Sequence, residues 1–336
     1  MAADAGPVVA FGEAMVRLTP PRHERLERTT LLDLTVGGAE LNSAVTLRCL
    51  ETPATWVSRL PDSPLGRAIA RGAMINAVDI SYLQWVAESE GRAGVYFLEE
   101  GTDPRPSAVH YDRAGSAFAR MPAGAFDWPA IVSGARALHI SGITPALGPG
   151  PRGETMTAIR AANAAGVPVA FDLNFRSKLW SEQEARACFV EIVPMVDVLF
   201  ASRGLLRTFF GIEGDHLNVL EAARTRLGLA VTVLSRKRGK ASRSVRLGSI
   251  AMGPDGEVIE GPWRDAEVVD RLGGGDAFAG GFLSGYVDDH ADLTRAIALG
   301  AAAQALKHTM TGDFLCATKA EIEAAVTATE GGVLQR

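Results

Sequence analysis

The sequence predicts an α/β protein with a mostly parallel central sheet. Short apolar runs stop abruptly at small or polar residues; they are VVAF (8–11), ALHI (137–140), PVAF (168–171), DVLF (197–200) and VTVL (231–234). Unbroken runs of this length are typical of strands buried on both faces. Stretches rich in Ala, Leu, Glu and Arg predict helices at 154–166, 181–194, 216–227, 275–287, 291–308 and 318–329. Strands that alternate with helices indicate a parallel sheet with helices on both sides.

A length of 336 residues is compatible with about two domains or with one large α/β domain. Since no repeat or linker interrupts the chain, we expect one domain spanning residues 1–336. The chain is 47% hydrophobic and 22% charged, which is ordinary for a globular protein. A formal net charge of -5 argues against nucleic-acid binding. An anionic substrate would have to be bound by local positive charge.

The cysteines and the N-terminus exclude several other classes. Cys49, Cys188 and Cys316 are far apart, which indicates neither a disulfide framework nor a zinc site. We see no signal peptide and no apolar run near the ~18 residues of a membrane helix. We therefore expect a cytoplasmic protein without a membrane partner.

Polar residues follow the predicted strands at one edge of the sheet. Glu13, Asp172, Asn174 and Ser202 each come directly after an apolar run. Ligands of such sheets bind beyond the carboxyl ends of the strands. Asp172 and Asn174, two apart, would point the same way and could face phosphate and metal; alternatively, Asp172 caps the following turn.

Two segments depart from the alternation and predict a small β-sheet over this edge. They span about 14–35 and 85–112, and the second suggests a hairpin in which VYFLEE and SAVHY flank a Gly-Thr-Asp-Pro-Arg-Pro loop. Such an appendage is placed to act as a lid. Its exposed edge could pair with a second copy of the chain, giving a homodimer.

The strongest motif is VVDRLGGGDAFAGGFLSGY, residues 268–286. Gly273, Gly274 and Gly275 at the start of a helix let backbone N–H groups converge on an anion, aided by the helix dipole. Asp276 within this site is either a helix cap or a catalytic base. Neither a dinucleotide fingerprint nor a GxxxxGKS/T loop fits the sequence.

As a catalytic base, Asp276 would accept the proton of an attacking hydroxyl. With a pKa near ~3.9 it would be a weak base. Phosphoryl transfer tolerates this because its loose transition state depends mostly on positioning and charge stabilisation. The glycine amides would stabilise the charge.

The glycine loop resembles the C-terminal signature of the ribokinase-like (PfkB-type) carbohydrate kinases, usually GAGD before an apolar helix. Residues 36–50, VGGAELNSAVTLRCL, resemble the sugar-binding signature of the same family. Gly37 and Gly38 allow close approach to a ligand, and Asn42 offers a donor and an acceptor to sugar hydroxyls. Alone, this segment could equally be a plain strand-to-helix turn. The resemblance implies a three-layer sandwich with a β lid, and ATP and Mg²⁺ as cofactors.

Three further segments resemble 2-keto-3-deoxygluconate kinases: YDRAGSA (111–117), FDLNFRSKLW (171–180) and ALKHTMTGDF (305–314). This resemblance extends through nearly the whole chain and implies phosphorylation of the terminal hydroxyl of a keto-deoxy sugar acid. Arg113 and Arg176 carry planar forks suited to the carboxylate of such an acid.

Other candidate binding residues have less specific signals. Tyr96 and Tyr111, on the two arms of the hairpin, could reach sugar oxygens, and Lys178 could face phosphates. For these residues and both arginines, the alternative is a solvated surface position.

The nucleotide side contains the main departure from the family pattern. The family normally carries NxxE after the fourth core strand, where this chain has Ser202 and Leu205. We expect either Asp172 to hold the metal or activity to be reduced. Ser235 and Arg236 open a basic stretch (235–246) that could meet ATP phosphates, stay solvated or, least favoured, bind nucleic acid.

These observations predict an ATP-dependent kinase of a sugar acid, with 2-keto-3-deoxygluconate as substrate. His308 is expected near the adenine pocket. The alternatives are a kinase of another sugar, such as fructose or keto-deoxy galactonate, and a non-catalytic binding protein that lost NxxE.

Overall fold

The computed structural model describes residues 6–238 and 244–327, and its centre is a large, mostly parallel sheet. In spatial order its strands are β13 (Val258–Glu260), β12 (Ser244–Met252), β11 (Val231–Arg238), β10 (Val198–Ala201), β9 (Val169–Asp172), β8 (Ala137–Ser141), β1 (Val8–Phe11), β4 (Ala54–Pro61) and β5 (Leu83–Val86), with β14 (Arg264–Glu267) paired to β12. The neighbouring strands β5, β4, β1, β8, β9, β10 and β11 are parallel to one another. Strand β12 pairs antiparallel with β11, and β13 and β14 pair antiparallel with β12. The five predicted apolar runs are all strands of this sheet.

Helices cover both faces of the sheet. They are α1 (Ala39–Cys49), α2 (Pro64–Ile75), α3 (Trp128–Val132), α4 (Pro149–Ala164), α5 (Glu182–Ile192), α6 (Arg203–Phe210), α7 (His216–Leu227), α8 (Gly274–Asp288), α9 (Leu293–His308) and α10 (Lys319–Thr327). Short 3-10 turns lie at Pro21–His23, Glu88–Glu90, Thr144–Leu147 and Val193–Met195. None of the helices in the described ranges is both long enough and apolar enough to cross a membrane.

The hydrophobic core is divided between the two faces of the sheet. Along β1, Val8 and Ala10 pack into the cluster under α1, α8 and α9, while Val9 and Phe11 pack into the opposite cluster under α3 to α7. Because successive side chains of a strand point to opposite faces, both faces of β1 are buried and its sequence is uniformly apolar. The predicted three-layer α/β sandwich is confirmed.

A separate four-stranded sheet lies in the region where the lid was predicted. Its order is β3 (Asp33–Gly37), β2 (Met15–Thr19), β6 (Val95–Glu99) and β7 (Ala108–Asp112). The hairpin of β6 and β7 is confirmed by its antiparallel pairing. The predicted start of the second lid segment, at residue 85, was wrong. Val86 belongs to β5, which pairs with β4 in the large sheet.

Other boundaries differ from the sequence expectation. Helix α4 begins at Pro149 rather than at 154, because proline is accepted in the first turn of a helix. The basic stretch 235–246 was expected to be a loop, yet β11 continues to Arg238 and β12 begins at Ser244. Residues 239–243 of that stretch lie outside the described residues.

Candidate active site

The polar residues that follow the strands lie at one edge of the large sheet. They border two neighbouring hollows that meet at the N-terminus of α8. We call them the substrate hollow and the nucleotide hollow, after the ligands expected in each.

The substrate hollow contains the whole predicted set of sugar-binding residues. It is lined by Gly37, Gly38, Asn42, Tyr96, Tyr111, Arg113, Arg176, Gly273 and Asp276, and also by Glu13, Met15, Ala39, Ile143, Leu272 and Asp313. The two signature motifs, far apart in sequence, thus share one hollow because α1 packs against α8.

Asp276 is the third residue of α8, and its side chain does not cap the helix. The N-cap position is Gly273, and the Asp276 carboxylate instead accepts a hydrogen bond from Asn42 Nδ2 at 2.6 Å. Asn42 Oδ1 in turn accepts from the Gly38 N–H at 3.2 Å, and Ser43 Oγ donates to the Asp276 carbonyl at 3.0 Å. Both chain segments therefore fix the orientation of the candidate base.

Burial raises the pKa of Asp276 to about 7; the charge of Asp172 adds to the rise, while Asn42 and Arg176 oppose it. The sequence expectation of a pKa near ~3.9 left out the loss of hydration at this partly buried position, which raises the pKa. A base whose pKa lies near neutral pH is well matched to proton transfer from a hydroxyl.

The three glycines differ in what surrounds them. Gly273 has φ 78°, and a Cβ there would lie 1.9 Å from the Asp313 carbonyl oxygen. A Cβ on Gly274 would lie 2.3 Å from His308 Cε1, whereas a Cβ on Gly275 would meet nothing within 4 Å. Gly275 therefore faces open space beside the first-turn amides, which have no acceptor within the helix.

Arg113 is buried, and its guanidinium is paired with Glu13. Nε donates to Glu13 Oε2 at 2.8 Å and Nη2 donates to the same oxygen, while Ser116 Oγ donates to Oε1. One edge of the fork is therefore occupied, and among residues 6–238 and 244–327 no hydrogen-bond partner of Nη1 is found. Glu13 is a site residue that the sequence argument noted only as a strand-end polar residue.

The two tyrosines lie side by side on β6 and β7, with ring centroids 5.9 Å apart. Tyr96 is buried and its hydroxyl donates to Asp313 Oδ2 at 2.7 Å. Tyr111 is 39% exposed and lies under the Arg113 guanidinium, 5.7 Å from the ring centroid. The lid sheet thus contributes both rings to the substrate hollow.

A buried ion cluster that the sequence argument missed joins the lid to the glycine loop. Arg17 Nη1 on β2 lies 2.8 Å from Asp313 Oδ1 and 2.6 Å from Asp270 Oδ2. Asp270 also accepts from the N–H groups of Leu272 and Gly312, at 3.0 and 3.1 Å. The only sequence signal was that Asp270 and Asp313 fall inside the quoted motifs.

The nucleotide hollow has polar residues on an otherwise apolar wall. Its lining contains Asp172, Asn174, Arg176, Ser202, Ser235 and Gly275, with Phe175, Phe200, Ala201, Leu205, Val233, Phe278 and Gln304. Four of the predicted cofactor-binding residues, Asn174, Ser202, Ser235 and Gly275, thus lie together. A lining of mostly apolar side chains with a few polar groups is typical of small-molecule sites.

Asp172 both caps its turn and borders the nucleotide hollow. Its Oδ1 accepts from the Asn174 N–H at 3.0 Å, and burial raises the pKa of its carboxyl to about 6. Ser202 caps α6, with Oγ accepting from the Leu205 N–H at 3.3 Å. Leu205 is apolar where the family resemblance expects a glutamate.

Three predicted cofactor-binding residues, Lys178, Arg236 and His308, do not line the nucleotide hollow. Lys178 Nζ donates to the Val109 carbonyl at 2.8 Å, in a third hollow outside the nucleotide side. Arg236 donates to the Ser249 carbonyl at 2.7 Å, and its guanidinium lies 5.0 Å from the Trp263 ring centroid. The long basic side chains of Lys178 and Arg236 contact nearby carbonyl oxygens and an aromatic ring, and such contacts cannot be predicted from a sequence pattern.

His308, the third of these, lies behind the glycine loop and does not line the nucleotide hollow. Its Nδ1 is 2.8 Å from the Gln304 carbonyl oxygen, and burial lowers the pKa of its imidazole. Gln304, one turn earlier on α9, is the residue that reaches the hollow.

Metal-binding capacity at this site is limited to one carboxylate. Among residues 6–238 and 244–327 there is no group of three or more His, Cys, Asp or Glu that could hold an ion. Of the residues that the structure describes, Asp172 is the one acidic side chain lining the nucleotide hollow. Mg²⁺ is commonly held by one or two carboxylates together with substrate phosphates, so this donor set fits an ion held mainly by phosphate.

Residues 6–320 match the model of the family described as pfkB family carbohydrate kinase. This chain belongs to the PfkB family. It is 38% identical to the 2-dehydro-3-deoxygalactonokinase of Haloferax volcanii over 97% of this chain and 98% of that one. It is 29% identical to the fructokinase of Klebsiella pneumoniae, over 91% and 94% of the two chains.

Among solved structures, the PfkB chain is similar to the 2-dehydro-3-deoxygluconokinase of Thermotoga maritima. The TM-score is 0.91 at 35% sequence identity, covering 96% of this chain and 98% of that one. The predicted ribokinase-like fold and carbohydrate kinase class are confirmed. The relatives differ in the sugar acid or sugar that their names specify.

Proposed function

We propose that this protein transfers the terminal phosphoryl group of ATP to the terminal hydroxyl of a 2-keto-3-deoxy sugar acid, with 2-keto-3-deoxygluconate (2-dehydro-3-deoxygluconate) as substrate. The observation that carries the proposal is the substrate hollow, which contains a half-buried candidate base, Asp276, together with two arginines, Arg113 and Arg176. A sugar acid presents a hydroxyl to the base and a carboxylate to a guanidinium. A neutral sugar has no carboxylate for the guanidinium to bind.

In this mechanism the outer edge of Arg113 binds the carboxylate, and Asn42, Tyr96 and Asp313 orient the sugar hydroxyls. Asp276 takes the proton of the terminal hydroxyl as that oxygen attacks the γ-phosphorus. The first-turn amides of α8, beside Gly275, donate to the phosphoryl oxygens. Asp172 would help to hold Mg²⁺, which when bound neutralises phosphate charge.

The lid sheet has a second part in the proposal. Tyr96 and Tyr111 on β6 and β7 would cover the bound sugar and exclude water, which suppresses ATP hydrolysis. The edge strands of this sheet, β3 and β7, pair with no further strand within the described residues. We propose that one of these exposed edges pairs with a second copy of the chain to form a homodimer, which size-exclusion chromatography with light scattering would detect.

A second candidate substrate is the galactonate epimer, 2-keto-3-deoxygalactonate. It is favoured by the 38% identity to an enzyme named for that acid. The two acids share the carboxylate and the terminal hydroxyl, so the same residues serve both. Since the donor is ATP, we also propose that the reaction takes place in the cytoplasm.

The experiment that tests the proposal is a coupled ADP-release assay with Mg-ATP. The acceptors are 2-keto-3-deoxygluconate, its galactonate epimer, gluconate, fructose and ribose. We expect turnover on the keto-deoxy acids, absent in Asp276→Asn and retained in the control Asp288→Asn, at the exposed far end of the same helix.

Two outcomes would contradict the proposal. Preference for fructose or ribose would identify a kinase of a neutral sugar. ATP binding without turnover on any acceptor would identify a non-catalytic binding protein, in which the absence of NxxE is decisive.

A further inference from the structure

Arg176 occupies a position that the sugar-binding interpretation does not explain. It follows β9 and lines the substrate hollow, the nucleotide hollow and the adjoining third hollow that also contains Lys178. Of the described residues, it alone is shared by the two linings. A group in this position lies where the sugar and the ATP phosphates must meet.

The other arginines of the site are already paired, while Arg176 is not. Arg113 is bound to Glu13, and Arg17 is bound to Asp270 and Asp313. Within residues 6–238 and 244–327 we find no hydrogen bond or ion pair made by the Arg176 guanidinium. Its charge is therefore available to a ligand.

The surroundings of Arg176 also favour a phosphoryl ligand. Within the described part of the chain it is the one cationic side chain in the lining of the nucleotide hollow. Its charge acts on both carboxylates at the junction, lowering the pKa of Asp276 and that of Asp172 against the effect of burial. A bound triphosphate brings about four negative charges, and a planar guanidinium binds phosphate oxygens in pairs.

We propose that Arg176 is a catalytic residue that binds the transferring phosphoryl group, and that the sugar carboxylate is left to Arg113. This inference rests on the proposed kinase function. The sugar hydroxyl oxygen forms a bond to the γ-phosphorus and its proton passes to Asp276. The bond from the γ-phosphorus to the β,γ-bridging oxygen breaks, and its electron pair leaves with ADP.

Arg176 donates to the γ-phosphoryl oxygens and to the bridging oxygen as negative charge develops there. The products are the sugar acid phosphate and ADP, and Asp276 later releases the proton to water. In this way Arg176 supplies positive charge on the side of the nucleotide hollow where Leu205 provides no metal-organising carboxylate.

The kinetic test compares Arg176→Met and Arg176→Lys with Arg113→Met as the matched control. If Arg176 binds the phosphoryl group, we expect Arg176→Met to lower kcat by about 100-fold or more for the acid. It should also lower the slow hydrolysis of ATP in the absence of acceptor, and Arg176→Lys should recover part of kcat. Arg113→Met should instead raise KM for the acid. A raised KM with unchanged kcat and unchanged hydrolysis in Arg176→Met would overturn the proposal.

A binding test separates this proposal from the identity of the sugar. Isothermal titration calorimetry measures Mg-ADP with and without aluminium fluoride, a mimic of the transferring phosphoryl group. We expect the fluoride to tighten binding to the wild type and to Asp276→Asn, and this gain to be lost in Arg176→Met. Equal gains in Arg176→Met and wild type, or no gain in the wild type, would overturn the role of Arg176. If the wild type phosphorylates none of the sugars but shows the gain, the proposed substrate fails and the role of Arg176 stands.

Discussion

Asn42 donates a hydrogen bond from Nδ2 to Oδ2 of Asp276 across 2.6 Å, between residues that are 234 positions apart. This contact joins the glycine-rich segment at the start of α1 to the glycine loop at the start of α8. A bond donated to the ionised carboxylate stabilises the charged form. It therefore opposes the burial that raises the pKa of Asp276 to about 7.

This bond predicts the pH dependence of activity. If Asp276 is the base, kcat/KM should rise with pH through about 7 as its carboxyl loses a proton. Asn42→Ala removes a contact that lowers this pKa, so the rising limb should move to higher pH. Ser43→Ala is the control, since its hydroxyl contacts the Asp276 carbonyl and not the carboxylate. A limb that stays in place in Asn42→Ala, or that moves equally in Ser43→Ala, would contradict the assignment.

The glycine loop predicts opposite effects at adjacent positions. A Cβ on Gly274 would collide with His308, whereas a Cβ on Gly275 would enter open space next to the expected phosphates. We expect Gly274→Ala to lower Tm by several degrees. Gly275→Ala should keep Tm or raise it slightly, since alanine favours helix, but lower kcat at least about 10-fold. Thermal melts and steady-state kinetics on both variants check this, and full activity in Gly275→Ala would argue against phosphate at the loop.

The buried cluster around Arg17 predicts a stability effect. Arg17→Met leaves the buried carboxylates of Asp270 and Asp313 without their cation, which typically costs about 3–5 kcal/mol. Arg25→Met removes a cation that is itself 55% exposed and leaves Glu99 paired with Arg105, so it should cost below about 1 kcal/mol. Urea unfolding measures both, and equal losses would mean that the cluster does not hold the lid sheet in place.

Leu205 predicts the metal dependence. Leu205→Glu adds a second carboxylate to the wall of the nucleotide hollow, beside Asp172. We expect the half-saturating Mg²⁺ concentration for turnover to fall several-fold, because two carboxylates hold the ion better than one. Leu205→Gln, similar in size but neutral, should not reproduce the effect. An unchanged Mg²⁺ requirement in Leu205→Glu would indicate that the metal lies away from this wall.

Much of this architecture could be predicted because it depends on local patterns. Strands buried on both faces must be apolar throughout, so the five runs from 8–11 to 231–234 identified the middle of the sheet. The motifs around Gly37 and Gly273 identified the substrate hollow because close approach to a ligand requires glycine at fixed positions. The strand β4 was missed, since ATWVSRLP interrupts its apolar residues with Thr, Ser and Arg.

Only the tertiary structure decided how charges are paired and how far they are buried. Arg113 faces Glu13 and Arg17 faces Asp313, contacts that join residues 100 and 296 positions apart. Arg236 and Lys178 donate to backbone carbonyls, and the loss of hydration raises the pKa of Asp276 to about 7. The sequence determined which residue types are present and which face of each element they occupy. Hydration and long-range Coulomb interactions depend on the distances between elements, and those distances exist only in the folded chain.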